Sequence, residues 1–390
     1  MTIEGRSDAK TGARIRLGMV GGGEGAFIGA VHRIAARIDD HYELVGGALS
    51  STPEKSRRSG EAIGLPSDRI YDDYETMARE EAKRPDGIEA VAIVTPNHVH
   101  AGPTYAFLKA GIHVICDKPL TVSLAEAKKM QAAVEKSGRV FALTHNYTGF
   151  PLVRRMREMV REGDLGEVRL VHAEYPQDWL TVAAETMGNK GAAWRTDPKQ
   201  AGAGGSLGDI GTHAYNLADY VTGLELAELA ADLTTFVPGR QLDDNAQIML
   251  RFANGARGAI WASQVAPGNE NGLMLRVYGT KGGFQWRQDN PNYLYWSPFG
   301  KPTQIIGRGG PGSGEAAARV TRVPPGHPEG YLECFATIYS EVAQAIKAAR
   351  AGEKPPKGVH FPTIEDGVKG MAFIEAAVKS SKANGKWVRP

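Results

Sequence analysis

Apolar and polar positions follow two rhythms along this chain. Up to about residue 146, short apolar runs alternate with stretches of helical spacing. The runs are Ile15–Val20, Glu43–Leu49, Ala90–Val94, the segment from Ile112 to Cys116, and Val140–Leu143. Between them the spacing predicts helices up to about Ile38, around Pro53–Ile63, around Asp73–Arg84, over Thr104–Ala110 and from Ser123 to about Ser137. Ser123 and Glu126 have the spacing of a capping box, and Gly111 and Gly138 stand as helix stops. Strand and helix in alternation predict an α/β fold with a doubly wound parallel sheet.

From Val168 the period shortens to two. Val168–Tyr175, Ala246–Phe252, Arg257–Ala262 and Leu273–Tyr278 alternate, and Asn254-Gly255 reads as a hairpin turn between two of them. An antiparallel sheet is the expectation, with an outer face suited to pairing with a second subunit in a homodimer or homotetramer. Pro151–Glu162, Tyr331–Ala351 and Thr363–Lys382 read as amphipathic helices, and Gly300–Pro328 as an irregular loop. Two domains follow, 15–146 and 147–390, as the 390-residue length also suggests. Residues 1–14 read as a loose tail.

Composition narrows the field. A charged content of 23% and a net charge of +2 give no basic stripe for nucleic acid and no attraction to an acidic membrane. No apolar run is long enough to span a bilayer, and the N-terminus lacks the apolar core of a secretion signal. Cys116 and Cys334 show neither pairing nor metal spacing, which fits a reducing cytoplasmic setting.

The polar residues at the strand ends carry the candidate chemistry. The first strand runs into Gly21-Gly22-Gly23-Glu24-Gly25-Ala26-Phe27-Ile28-Gly29 and then a helix. Strand, glycine turn, helix is the context of a dinucleotide fingerprint, so Gly21, Gly23, Gly25, Ala26, Phe27 and Ile28 are candidate cofactor contacts. Gly29 alternatively packs helix on strand, and a plain flexible turn is the bland alternative. At the second strand end, where an acid would bind the ribose of NAD, stand Ser50 and Ser51. NAD and NADP both stay open, with a lean to NAD. Thr95, Pro96, Asn97, His100, Asp117 and Lys118 lie at the carboxyl ends of further strands, the ligand edge of such sheets, and are further candidate cofactor contacts; His145–Tyr147 lie at another such end. Lys118 alternatively is a surface lysine in a loop. His98 and His100 lack the surroundings of a metal site, and no metal is expected.

In the second half, a loop-rich insert from Pro176 to Gly205 holds Gln177, Asp178, Trp179, Trp194, Arg195 and Asp197. Indole faces beside polar groups suit a polyhydroxyl ligand, although the tryptophans alternatively anchor the loop. Asp209 and His213 stand four apart where a helix opens, a spacing that puts both on one face. A carboxylate and an imidazole so placed can position a hydroxyl and take its proton. Capping and packing are the alternative roles.

The glycine turn with His32, Thr95-Pro96-Asn97-x-x-His100, Asp117-Lys118-Pro119 and Gly208-Asp209-Ile210-Gly211-x-His213 occur in this order. In this the chain resembles the Gfo/Idh/MocA oxidoreductases, the group of glucose-fructose oxidoreductase and inositol dehydrogenase. The resemblance spans nearly the whole chain. It implies a Rossmann domain, an α/β domain with a large, mostly antiparallel sheet, a nicotinamide cofactor and a sugar, inositol or related polyol substrate. It also implies Lys118, Asp209 and His213 as the catalytic set. Tyr147, Tyr175, Trp179, Trp194 and Arg195 are candidate substrate contacts. Three departures stand out: a glycine turn about three residues longer than usual, Ser50 in place of an Asp, and Asp117 in place of a Glu. The expected activity is hydride transfer between a nicotinamide cofactor and a secondary hydroxyl. Two alternatives remain: a redox-neutral glycosidase working by oxidation, elimination and re-reduction, and a dinucleotide-responsive binding protein without catalysis.

Overall fold

The computed structural model describes residues 13–390, so most of the expected tail, residues 1–12, lies outside the described residues. The chain divides into two compact units. The first comprises 13–121, 125–149 and 331–368, and the second 122–124, 150–330 and 369–390.

In the first unit five parallel strands form a sheet: β1 (Ile15–Gly21), β2 (Tyr42–Ala48), β3 (Ala90–Val94), β4 (His113–Cys116) and β5 (Phe141–Leu143). Their order is β2-β1-β3-β4-β5. Every residue of β3 and β4 is buried, which is why these segments read as apolar runs, broken only by His113. From β1 the chain passes to β2 on one side, then crosses back past β1 to β3 on the other, so the strand order reverses between β1 and β3. The chain therefore opens a crevice at the carboxyl ends of β1 and β3, where such sheets hold ligands.

The helix Tyr331–Ala351 belongs to this first unit, not to the second as the boundary at 147 implied. It packs on the helix Phe27–Ile38. Tyr42 Oη donates to Tyr339 O at 2.9 Å, and His32 Nδ1 lies 2.8 Å from Tyr339 Oη. An amphipathic pattern reveals that a helix has a buried face, but not which surface covers it.

In the second unit eight strands form one sheet. They are β6 (Val168–Pro176), β7 (Leu226–Thr234), β8 (Asn245–Phe252), β9 (Arg257–Ser263), β10 (Met274–Gly279), β11 (Gly282–Arg287), β12 (Tyr293–Pro298) and β13 (Gln304–Gly307). The order is β13-β12-β11-β10-β6-β9-β8-β7, antiparallel throughout except for the parallel pair β6 and β9. Gly255, at φ +92°, makes the β8–β9 hairpin turn. One face is covered by the helices Pro151–Glu162 and Thr212–Thr222. The other leaves Leu170, Met249, Tyr278, Tyr293 and Ile305 exposed, and the strand register puts all five on that side.

Two segments read as loops are more ordered than expected. Residues 300–328 contain β13 and a short helix, Gly314–Ala318. The insert at 176–205 contains a 3-10 turn and the helices Lys190–Arg195 and Pro198–Ala201. It has a small core of its own, Leu180, Ala184 and Ala192, with Trp179 against it. Arg240, its side chain only 1% exposed, clasps it by donating to Leu180 O and to the carboxylates of Glu185 and Asp244.

Candidate active site

The glycine turn at the end of β1 is shaped for something to approach its backbone. Gly21, Gly22 and Gly25 all have φ between +70° and +79°, a region that disfavours side chains. A Cβ on Gly21 would stand 2.8 Å from Val94 O, and one on Gly29 would stand 2.2 Å from Gly22 O. Gly29 thus lets the start of the helix lie directly against the Gly22 backbone, just past the end of β1. The helix Phe27–Ile38 begins at Ala26 with no side-chain cap and no acid in its first turn. Its first amides keep the donors and the positive dipole end that suit a phosphate. Beside the turn, Thr95 Oγ1 is buried without a hydrogen-bond partner. Bare glycines, uncapped amides and an orphan hydroxyl are what a dinucleotide pyrophosphate would fit.

The neighbouring strand ends are tied together. Asp117 N donates to Ile93 O at 2.9 Å, and Asp117 Oδ1 accepts from Lys118 N at 2.9 Å and from Thr144 Oγ1 at 2.8 Å. The His100 ring, expected among the cofactor contacts, is fully buried. Its Nδ1 lies 2.9 Å from Pro119 O and its Nε2 3.0 Å from Thr95 O. It therefore pins the Thr95 turn to the Lys118–Pro119 turn. Burial pushes its pKa down, while Asp117 and the facing carbonyls pull it up. His145 is also buried, and desolvation together with the Lys118 charge lowers its pKa to about 3. Asn97 and Tyr147 are buried as well, and the Tyr147 ring lies 6.4 Å from that of Tyr331. Ser50 and Ser51 stand at the more open end of β2.

In the second unit Asp209 lies in a π turn, Leu207–Gly211, that leads into the helix Thr212–Thr222 carrying His213. The widened turn replaces the regular helix start that the four-residue spacing suggested, and such turns are frequent at functional sites. Asp243 fixes its origin. Its carboxylate accepts from Gly205 N at 2.7 Å and from Ser206 Oγ and Leu207 N at 2.8 Å each, and burial pushes its pKa up.

Arg195, Trp179, Trp194 and Asp209 converge, which their separation in sequence left open. Arg195 Nε donates to Asp209 Oδ2 at 3.1 Å, and Gln264 Nε2 donates to the same oxygen at 2.9 Å. The guanidinium lies 4.2 Å from the Trp194 ring centre and 5.8 Å from that of Trp179. On the other side, the Tyr175 ring stands 6.1 Å from the His213 ring. Tyr175 Oη donates to Asn271 Oδ1 at 2.8 Å, and Gln177 Nε2 donates to that oxygen at 2.7 Å. Trp179 Nε1 donates to Gln177 Oε1 at 3.0 Å. A continuous polar and aromatic belt thus links His213 and Tyr175 to Trp179, Arg195 and Asp209. Gln264, Asn271 and Asp243 were not anticipated. Each lies in a loop, with no period or motif to mark it.

Comparison with known proteins agrees with this architecture. The family model described as "Oxidoreductase family, NAD-binding Rossmann fold" matches residues 15–145, and the "GFO/IDH/MocA C-terminal domain" model matches residues 153–285. The chain belongs to the Gfo/Idh/MocA family. The glycine turn, Thr95–His100 and Asp117-Lys118 fall in the first match, and Asp209 and His213 in the second. A solved oxidoreductase from Sinorhizobium meliloti is 59% identical, with a TM-score of 0.89 over 97% of this chain and 100% of that one. An inositol dehydrogenase homolog from Azotobacter vinelandii, solved with NADH and myo-inositol, is 35% identical with a TM-score of 0.88 over 97% and 98% of the two chains. Levoglucosan dehydrogenase of Pseudarthrobacter phenanthrenivorans is 28% identical over 96% of this chain and 97% of its own. Among the described residues no helix is long and apolar enough to cross a membrane, and no cluster of His, Cys, Asp or Glu has the make-up of a metal site.

Proposed function

We propose that this protein oxidises a secondary hydroxyl of a cyclitol or sugar, or runs the reverse reduction, with NAD favoured over NADP. The observation that carries the reading is the belt around Asp209 and His213. It offers a carboxylate, an imidazole, amides and indole faces together, the mixture that a polyol's hydroxyls and C–H faces require. A relative solved with NADH and myo-inositol, and another named levoglucosan dehydrogenase, support the substrate class.

In this proposal the glycine turn, the amides at Ala26, Phe27 and Ile28, and the strand-end residues Thr95, Pro96 and Asn97 hold the dinucleotide. Bound there, a nicotinamide supplies the hydride acceptor. His213 takes the hydroxyl proton as general base. The Lys118 ammonium stabilises the negative charge developing on oxygen. Asp209 orients the substrate hydroxyl, itself held by Arg195 and Gln264. Arg195 acts here through Asp209, and His100 through the two turns it joins. Tyr147, Tyr175, Trp179 and Trp194 are substrate-side residues. The exposed apolar face of the large sheet is the surface proposed for self-association.

A screen of cyclitols, sugars and glycosides with NAD and NADP tests the reading. Both reduced cofactor and released products are measured. Reduced cofactor formed in step with an oxidised polyol is the expected outcome. Glycoside cleavage without net reduction would replace it with redox-neutral chemistry, and tight dinucleotide binding with no turnover would leave a binding protein.

A further inference from the structure

We propose that Glu24 and Arg58 set the choice between NAD and NADP, an inference that rests on the dinucleotide-binding reading above. In folds of this class the 2′ position of the adenosine ribose is read at the carboxyl end of the second strand. A carboxylate there suits the free hydroxyl of NAD, and a nearby arginine suits the phosphate of NADP. Here that strand end carries Ser50 and Ser51, which are neither.

The structure brings both kinds of group to this corner from other segments. Gly23 N donates to Leu49 O at 3.1 Å, and Glu24 N donates to Ser59 Oγ at 3.0 Å. The glycine turn is thereby stitched to the end of β2 and to the helix Pro53–Ala62. A Cβ on Gly23 would stand 2.6 Å from Leu49 O and 2.7 Å from Ser59 Oγ, so this close approach needs glycine. From the stitched turn, Glu24 Oε2 accepts from Arg58 Nε at 2.8 Å and from Nη2 at 2.5 Å. Lys55 stands one turn earlier on the same helix, while Arg57 pairs with Asp72.

The two side chains are 58% and 66% exposed, and a pair so exposed adds little to stability. Its effect is on what comes near. Paired, Glu24 neutralises Arg58 and presents a carboxylate that accepts from ribose hydroxyls but repels a phosphate dianion. Without that carboxylate, Arg58 and Lys55 together favour the 2′-phosphate.

The test measures NADH and NADPH dissociation constants by calorimetry on the full chain, with no substrate present. Wild type is expected to bind NADH more tightly. Glu24→Gln should shift the ratio of the two constants towards NADPH by about ten-fold. Adding Arg58→Ala to that variant should return most of the shift. An unchanged ratio in Glu24→Gln, equal weakening of both dinucleotides, or a wild type that prefers NADPH would overturn the proposal. Wild type that binds neither would overturn the underlying dinucleotide reading, and this proposal with it.

Discussion

Replacing Arg195 by methionine removes the charge facing Asp209 and keeps an apolar stem beside the two indoles. At the observed 3.1 Å the Coulomb energy is about 5 kcal/mol for an effective dielectric constant of roughly 20. Much of this is offset by desolvation, since the Asp209 side chain is only 14% exposed, and Arg195, at 30%, is partly screened by water. A charge-assisted hydrogen bond of this kind contributes about 1.5–3 kcal/mol net. A double-mutant cycle of Arg195→Met and Asp209→Asn, read by urea unfolding under circular dichroism, should therefore give a coupling energy of about 2 kcal/mol. With a substrate in hand, Arg195→Met should lose about 30-fold in kcat/KM, and Arg195→Lys should recover part of it. Additive stabilities within about 0.5 kcal/mol would refute the clamp.

Local patterns revealed the elements and missed the partners. β3 and the alternating β6, β8 and β9 announce themselves, because burial on two faces or one leaves a period in the sequence. β13, Gln304–Gly307, is a short edge strand among glycines and prolines, and only its pairing with β12 makes it a strand. The parallel pairing of β6 with β9 is likewise a long-range choice that no local period encodes. The same holds in the site. Lys118, Asp209 and His213 sit in recognisable motifs, but the Arg195–Asp209 bond joins an insert to a turn, and Gln264 and Asn271 come from loops. His100 was legible as a strand-end polar residue. Its burial between two carbonyls was not, because a motif does not say which way a ring points.

Gly29→Ala would put a Cβ 2.2 Å from Gly22 O and 2.4 Å from Gly22 Cα, both backbone atoms. It should cost about 2–3 kcal/mol and abolish dinucleotide binding, both visible in thermal melts with and without NADH; an unaltered melting temperature would contradict this. His145, buried near Lys118, has its pKa lowered from 6.5 to about 3 in the fold. Between these values the unfolded chain binds the proton and the folded one does not, so this contribution is complete above about pH 6.5 and is lost as pH falls towards 3. His145→Asn should flatten that acid limb in urea midpoints taken across the window, and an unchanged slope would count against a buried neutral imidazole.

The most direct measurement is rapid mixing of enzyme, NAD and a polyol from the screen, following reduced dinucleotide in wild type, Lys118→Met and His213→Ala. NADH binding is titrated separately in each. One reduced dinucleotide per alcohol oxidised is expected in wild type, and a loss of at least about 1,000-fold in both variants, with NADH still bound. Undiminished hydride transfer in Lys118→Met or in His213→Ala would contradict this.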